Sequence, residues 1–301
     1  MKVVVLGGGS SPERAVSLRS AAAVSEALRT AGYEVMEADP ANGLEILDSL
    51  SKADIVFPIL HGAEGEDGVI QGILEEKGLA YLGSNSSCSK QCFDKSITRK
   101  LLIEAGLPVA KGEGGITAAT YSINPLTKKP HVLKAQRGGS SIGTYLVKNP
   151  SKVDQAKVSE VFELDSKAVI EELIDGLEIT VPILDKKALP VIEIVPPENG
   201  EFDYENKYNG KSQEICPAVS LDESQQHNAQ VLAEKVHGVM GCRHLSRIDI
   251  MLRKSGEMVV LEANTIPGMT SQSLYPLSAK VAGMPMPELM DKFVKLVTRS
   301  S

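Results

Sequence analysis

Apolar positions change period along this chain, and each change of period marks an element. Residues 2–6 are a short apolar run that reads as a buried strand. A loop follows, Gly7-Gly8-Gly9-Ser10-Ser11-Pro12-Glu13, and then a helical spacing of Val16, Leu18, Ala22, Val24, Ala27 and Leu28 that stops before Gly32. Strands are predicted at 34–38, 54–60 and 81–84, with a short helix at 44–50 and another starting at Gly68. The 54–60 run is apolar on both faces, as a buried parallel strand should be. Strand, glycine loop and helix in alternation predict a doubly wound unit over residues 1–84.

Beyond it the pattern changes. One helix is expected to run through Cys92, Lys95, Thr98 and Leu101 to Gly106. Short strands are then expected at 131–135, 144–147, 168–174, 177–181 and 189–195, with few helices between them. Ser220-Leu221-Asp222-Glu223 reads as the cap of a helix reaching Met240. The strand at 244–252 places Ile248, Ile250 and Leu252 on one face and Arg247, Asp249 and Met251 on the other. Residues 258–262 return after the turn 254–257, and helices close the chain at 273–282 and 287–297.

The chain has 301 residues, 42% of them hydrophobic, which suits an ordinary globular protein of two or three domains. Its net charge of −7 argues against a general nucleic-acid or membrane-surface binder, though not against an anionic ligand held by a few local cations. There is no apolar run of membrane-spanning length, and the N-terminus reads as a first strand rather than a secretory signal. Four scattered cysteines offer no second pair at metal spacing, so zinc is not expected; a cytoplasmic setting with reduced thiols is the default.

Candidate chemistry gathers near the C-terminus. Asp249, Glu262 and Asn264 offer two carboxylates and an amide oxygen at neighbouring strand ends, hard donors of the kind magnesium takes. Arg247 alternates onto the face of Asp249 and suits phosphate or a developing oxyanion. Gly268 follows Pro267 in a turn where backbone would approach a ligand. Glu13 and His61 lie at the carboxyl edge of the first sheet, where open α/β sheets bind ligands. Lys134 precedes a second glycine loop, Arg137-Gly138-Gly139-Ser140-Ser141-Ile142-Gly143, which lies between strands and so is no Walker A motif. Each feature has a plainer reading: exposed charges at strand ends, a tight βα turn, a structural histidine, a hairpin turn. Acids at 171–178 fit either an exposed hairpin end or the amine and ribose of a purine nucleotide. Residues 202–211 form either a loop over a site or a surface loop.

Taken in order, the motifs Gly8-Gly9-Ser10-Ser11-Pro12-Glu13-Arg14-Ala15-Val16-Ser17, His61-Gly62 with Gly65-Glu66-Asp67-Gly68, Asp94-Lys95, Gly139-Ser140-Ser141-Ile142-Gly143, Arg247-Ile248-Asp249 and Glu262-Ala263-Asn264-Thr265-Ile266-Pro267-Gly268-Met269-Thr270 with Ser273-Leu274 resemble the D-alanine–D-alanine ligases of the ATP-grasp superfamily. The resemblance runs nearly end to end. It implies an α/β protein of three domains, a Rossmann-like one at 1–85 and the two halves of an ATP-grasp fold at 86–172 and 173–301. It implies a cytoplasmic homodimer that uses ATP and two Mg2+ or Mn2+ ions to join two D-alanine molecules through a D-alanyl phosphate, for peptidoglycan synthesis.

By position, Lys95, Lys134 and Ser141 would meet ATP phosphates, and Glu171, Leu173, Glu178 and Lys207 the adenine and ribose. Asp249, Glu262 and Asn264 would hold the metals, Glu262 also facing ATP. Glu13, with His61 nearby, would engage the first D-alanine. Arg247 and Gly268 would stabilise the oxyanion, and Ser273 and Leu274 would bind the second carboxylate. Ser140 and Tyr208 would join Glu13 in closing a loop over the site.

Three departures from the family's pattern stand out: the loop after Tyr208 lacks a Thr and an aromatic residue, Leu173 stands where many members carry an aromatic, and the stretch from Gly106 to His131 is short. Competing readings are a D-alanine–D-lactate or D-alanine–D-serine ligase, against which Tyr208 speaks, another carboxylate–amine ligase, and a non-catalytic nucleotide-binding protein. The last expects erosion at Glu13, Arg247 or Asn264, and none is eroded.

Overall fold

The computed structural model describes residues 1–139, 142–195 and 213–300. Its first sheet is wholly parallel, with β1 (Lys2–Leu6), β2 (Glu34–Ala38), β3 (Ile55–Pro58) and β4 (Ala80–Tyr81) in the order β2-β1-β3-β4. Both faces are covered, and the period of two along β1 divides them. Val3 and Val5 pack with Val24 and Leu28 of helix α1 (Arg14–Thr30) and with Met290 and Phe293 of the C-terminal helix. Val4 and Leu6 face Leu47, and Ile70 and Leu74 of α2 (Val69–Glu76).

The buried face of α1 is not the one its large residues suggest. Leu18 is 43% exposed and Ala22 is exposed, while Ser17, Ser20, Ala21, Val24, Ala27 and Leu28 are buried. Small residues win because the helix lies close to β1: a Cβ on Gly7 would stand 2.3 Å from that of Ala21. Ser17 Oγ donates to Ile59 O (2.6 Å) and accepts from Gly8 N (2.9 Å), so its polarity is satisfied at the strand ends.

The expected single helix from Cys92 to Gly106 is two, α3 (Ser86–Phe93) and α4 (Lys95–Glu104). Between them Asp94 is extended, and its carboxylate accepts from Ser96 N (3.0 Å) and Ile97 N (3.1 Å). An aspartate with two free amides ahead of it starts a helix better than it continues one.

The second sheet holds β5 (Gly112–Ile116), β6 (His131–Ala135), β7 (Thr144–Val147) and β8 (Ala168–Glu172), antiparallel in the order β5-β8-β6-β7. Helices α5 (Ala118–Tyr121) and α6 (Gln155–Leu164) cover it. Strand β5 has the sequence Gly-Glu-Gly-Gly-Ile and no strand propensity. Two of its glycines are set by close approach, since a Cβ on Gly112 would lie 2.1 Å from Ile170 O and one on Gly114 2.3 Å from Ser96 Oγ, whereas Gly115 is set by its φ of 78°.

The third sheet is antiparallel and holds β9 (Gly176–Leu184), β10 (Lys187–Ala188), β11 (Ile192–Val195), β12 (Gln213–Ile215), β13 (Leu245–Arg253) and β14 (Met258–Asn264). Its order is β12-β11-β9-β13-β14, with β10 paired to β9. Helix α7 (Glu223–Val239) lies on one face, where Ile179, Val181, Ile248 and Ile250 meet Ala229, Ala233 and Val236. Asp222 caps α7 in a reciprocal box with Gln225, two residues beyond Ser220. Helices α8 (Leu274–Val281) and α9 (Met286–Ser300) finish the described chain, α9 against the first sheet.

His244 ties the first and third sheets together: Gly83 N donates to its Nδ1 (3.1 Å). Burial, with Arg243 adding to it, lowers its pKa to about 4 from 6.5. The unfolded chain therefore binds this proton more readily, so stability is present above pH 6.5 and is lost as pH falls through about 4. Thermal midpoints should drop across that window, and His244→Asn, which keeps an acceptor and tolerates the positive φ of 59°, should flatten the drop. Leu28→Ala should destabilise by about 2–5 kcal/mol in denaturant unfolding, whereas Leu18→Ala should stay within about 0.5 kcal/mol. Equal losses would mean that the helix presents a different face.

Candidate active site

The face of the third sheet opposite α7 carries charge. In the β13–β14 register Asp249 stands directly across from Glu262, and Arg247 from Asn264. The strand period thus delivers three oxygen-bearing side chains and one guanidinium to one face. Arg247 and Asp249 are both buried and pair through two bonds, Nε to Oδ1 at 2.8 Å and Nη2 to Oδ2 at 2.7 Å. Thr180 on β9, register partner of Asp249, donates to Oδ1 at 2.5 Å. Asn264 Oδ1 accepts from Ile266 N at 3.0 Å, which aims the amide.

The second sheet supplies cations. Lys134 Nζ lies 2.8 Å from Glu171 Oε2, and Arg99 Nη1 2.7 Å from Glu171 Oε1. Arg99 also donates to Ala110 O (2.8 Å) and Gly112 O (2.8 Å), fastening α4 to the segment leading into β5. Glu171 is therefore held from both sides, and its first effect is on Lys134. Burial opposes charge on Lys134, but the carboxylate at Glu171 outweighs it and the pKa is raised. Lys95 differs: burial lowers its pKa, Glu262 only partly offsets this, and Lys134 adds to the fall. Its Nζ donates to Gly138 O at 2.6 Å, at the root of the second glycine loop.

The first sheet's loops close the third side. Glu13 is 5% exposed at the start of α1. Gly62 has φ of 74°, and a Cβ there would fall 2.7 Å from Glu13 Oε2, so glycine is required twice over. His61 Nε2 lies 3.2 Å from Ser20 Oγ, which also accepts from Met269 N at 3.3 Å. Its Nδ1 is 3.5 Å from Glu66 Oε1. In the last loop Gly268 is held by a close approach rather than by a left-handed turn: a Cβ would sit 2.9 Å from Ser273 Oγ. That hydroxyl accepts from Thr270 N at 3.1 Å and lies 2.8 Å from Thr270 Oγ1.

Two cavities meet between these walls. One, of about 240 Å³, runs between the second and third sheets and takes in Lys134, Glu171, Leu173, Glu178 and Asp249. The other, of about 820 Å³, takes in Glu13, His61, Arg247, Asn264, Gly268, Ser273 and Leu274. Lys95, Gly139 and Glu262 line both, so the lysine and the carboxylate stand where the two join. Every described candidate therefore opens on one continuous cleft, although Leu274 also packs against Ile192 and Ile194. Ser140, Ser141, Lys207 and Tyr208 lie outside the described residues, as do residues 209–212 of the departing loop; residues 213–215 form β12.

The structure adds Glu66, Arg99 and Thr180. Glu66 was visible as part of a motif, and Arg99 follows Lys95 by one helical turn, but Thr180 is reached only through strand register.

The chain matches the family model described as D-ala D-ala ligase C-terminus over residues 112–295, and D-ala D-ala ligase N-terminus over 36–84. The chain belongs to the D-alanine–D-alanine ligase family. It is 40% identical to a D-alanine–D-alanine ligase of Methylacidiphilum infernorum, covering 98% of this chain and 94% of that one. The D-alanine–D-alanine ligase of Bacillus anthracis complexed with ATP is similar at TM-score 0.84 and 29% identity, covering 100% of this chain and 98% of that one. The VanG D-Ala:D-Ser ligase of Enterococcus faecalis is similar at TM-score 0.83 and 30% identity, covering 98% and 99%. The fold is thus that of the ATP-grasp ligases, reached here from three sheets. Among the described residues no helix is long and apolar enough to cross a membrane.

Removing one partner of a buried ion pair strands the other, which costs roughly 3–5 kcal/mol. Arg99→Ala should lower stability by that amount, read by thermal or denaturant unfolding. A loss below about 1 kcal/mol would mean that Glu171 is adequately held by Lys134 alone.

Proposed function

We propose that the protein is an ATP-dependent ligase that joins two D-alanine molecules, releasing ADP and phosphate, and so serves peptidoglycan precursor synthesis. The observation that carries this reading is the junction of the two cavities at Lys95 and Glu262, where a slot between the second and third sheets meets a larger polar chamber. The three sheets would then be the cores of three domains, 1–85, 86–172 and 173–301, with the nucleotide between the second and third.

A carboxylate resists attack by an amine because its oxygen leaves poorly and its charge repels the nucleophile. Transfer of the γ-phosphoryl group of ATP to the first D-alanine gives an acyl phosphate and removes both obstacles. Lys134 and Lys95 draw the phosphates toward the junction, and Glu171 keeps Lys134 charged although it is buried. Glu13 holds the ammonium group of the first D-alanine, with His61 and Glu66 behind it. Ser273 and the free amide of Leu274 receive the carboxylate of the second. Its amine attacks, and Arg247 and the Gly268 amide stabilise the oxyanion that forms. The phosphate then leaves and the peptide bond is complete.

Asp249, Glu262 and Asn264 suit two Mg2+ or Mn2+ ions: the donors are all oxygen and adjacent in register on one sheet face. Such ions, when bound, offset phosphate charge. Acyl phosphates hydrolyse, so the loops bearing Ser140 and Tyr208 are assigned to excluding water. A cytoplasmic homodimer belongs to the same reading, and sedimentation at working concentration would check it.

Release of ADP should depend on D-alanine and fail with L-alanine; activity with L-alanine alone would sink the reading, and nucleotide binding without turnover would favour a binding protein. The likeness to a D-Ala:D-Ser ligase makes D-serine the second acceptor to test, and product analysis with D-alanine, D-serine and D-lactate separates the three. Glu171→Gln should raise the KM for ATP about ten- to a hundredfold, the worth of one hydrogen bond between charged groups. Because Glu171 raises the pKa of Lys134, the alkaline loss of ATP affinity should also move to lower pH in this variant. An unmoved profile would take Lys134 out of phosphate binding.

A further inference from the structure

Cys242 is 154 residues from Cys88 in sequence, at the turn between α7 and β13, yet the two sulfurs are 3.7 Å apart. Cys92, one turn along α3, places its sulfur 4.0 Å from that of Cys88. All three sulfurs lie within 4.8 Å of one another, and all three residues are buried. We propose that Cys88, Cys92 and Cys242 form a binding site for one thiophilic d10 metal ion, zinc(II) in the first instance, which pins α3 to the third sheet. The site is separate from the hard oxygen donors of the catalytic cleft.

The plain alternative is three thiols packing as small apolar groups. Three observations favour the metal. Two sulfurs bound at about 2.3 Å to one tetrahedral centre stand about 3.8 Å apart, within the spread seen here. His237, whose carbonyl accepts from Cys242 N at 3.0 Å, adjoins the trio without joining the three sulfurs that lie within 4.8 Å of one another, and its buried Nε2 has no hydrogen-bond partner among the described residues. Its Nδ1 faces Ser246 Oγ at 2.8 Å, so the ring is held in place beside the thiols. Cys92 lines the larger cavity, which supplies an entry path.

Soft sulfur donors select against the magnesium or manganese suited to Asp249 and Glu262, so the two sites would fill independently. Because α3 runs straight into Asp94 and Lys95, an ion here would also fix the start of α4.

The test uses the reduced full-length protein with excess Mg2+ present, so that oxygen sites are saturated. Titration with Co2+ should give one equivalent with sulfur-to-cobalt charge-transfer absorption, and zinc should displace it. Cys242→Ser and Cys92→Ala should each weaken zinc at least about a hundredfold against a chromophoric chelator, since outer-shell losses alone reach that size. Cys216→Ser should leave the site intact, because Cys216 lies outside the trio. Circular dichroism confirms that each variant is folded. Absence of the charge-transfer band, or a band that persists in both trio variants, would overturn the site and leave the ligase reading untouched.

Discussion

The pairing of Arg247 with Asp249 in the middle of β13 is the interaction on which the cleft depends. Both groups are buried, and each offsets part of the cost of burying the other's charge. Their two-bond fork fixes the guanidinium plane on the sheet face, and Thr180 fixes the carboxylate from the neighbouring strand. Glu262 and Asn264 then follow from register, because an antiparallel pair offers only one partner for each residue. A slip of one residue would send all of these groups into the apolar contact with α7.

Charge balance across the cleft comes from unequal treatment of two lysines. Lys134 sits against Glu171 and stays charged; Lys95 lacks so close a carboxylate, and burial pulls its pKa down. On the proposed function, an arriving phosphate would supply what Lys95 lacks, so Lys95 would gain most from ligand binding while Lys134 is prepared in advance. Arg99 makes this possible by taking the second oxygen of Glu171, which keeps the carboxylate from drifting toward the cavity.

Close approach explains three of the glycines. Gly62 makes room for Glu13, Gly112 for the β8 backbone, and Gly268 for Ser273. Gly62 brings two loops of the first sheet together, Gly112 two strands of the second, and Gly268 the two ends of the last loop.

Much of this could be read in one dimension. The apolar periods located most strands of the first and third sheets, and alternation along β13 separated the face of Ile248 and Ile250 from the face of Arg247 and Asp249. Ordered motifs pointed to the family, and every candidate residue that the structure describes opens on the cleft. Other features depend on partners remote in sequence. The phase of α1 is set by how near it lies to β1, so Leu18 faces outward and serines face inward. Strand β5 exists because β8 pairs with it, against its own propensity. Glu171 looks like a lone acid until Lys134 and Arg99 are seen on either side. Cys242 looks isolated until folding carries it across 154 residues to Cys88. Sequence by itself determined what can be encoded locally, namely periodicity, turn chemistry and motif order. Tertiary structure decided the rest, because burial, pairing and charge are properties of neighbours in space.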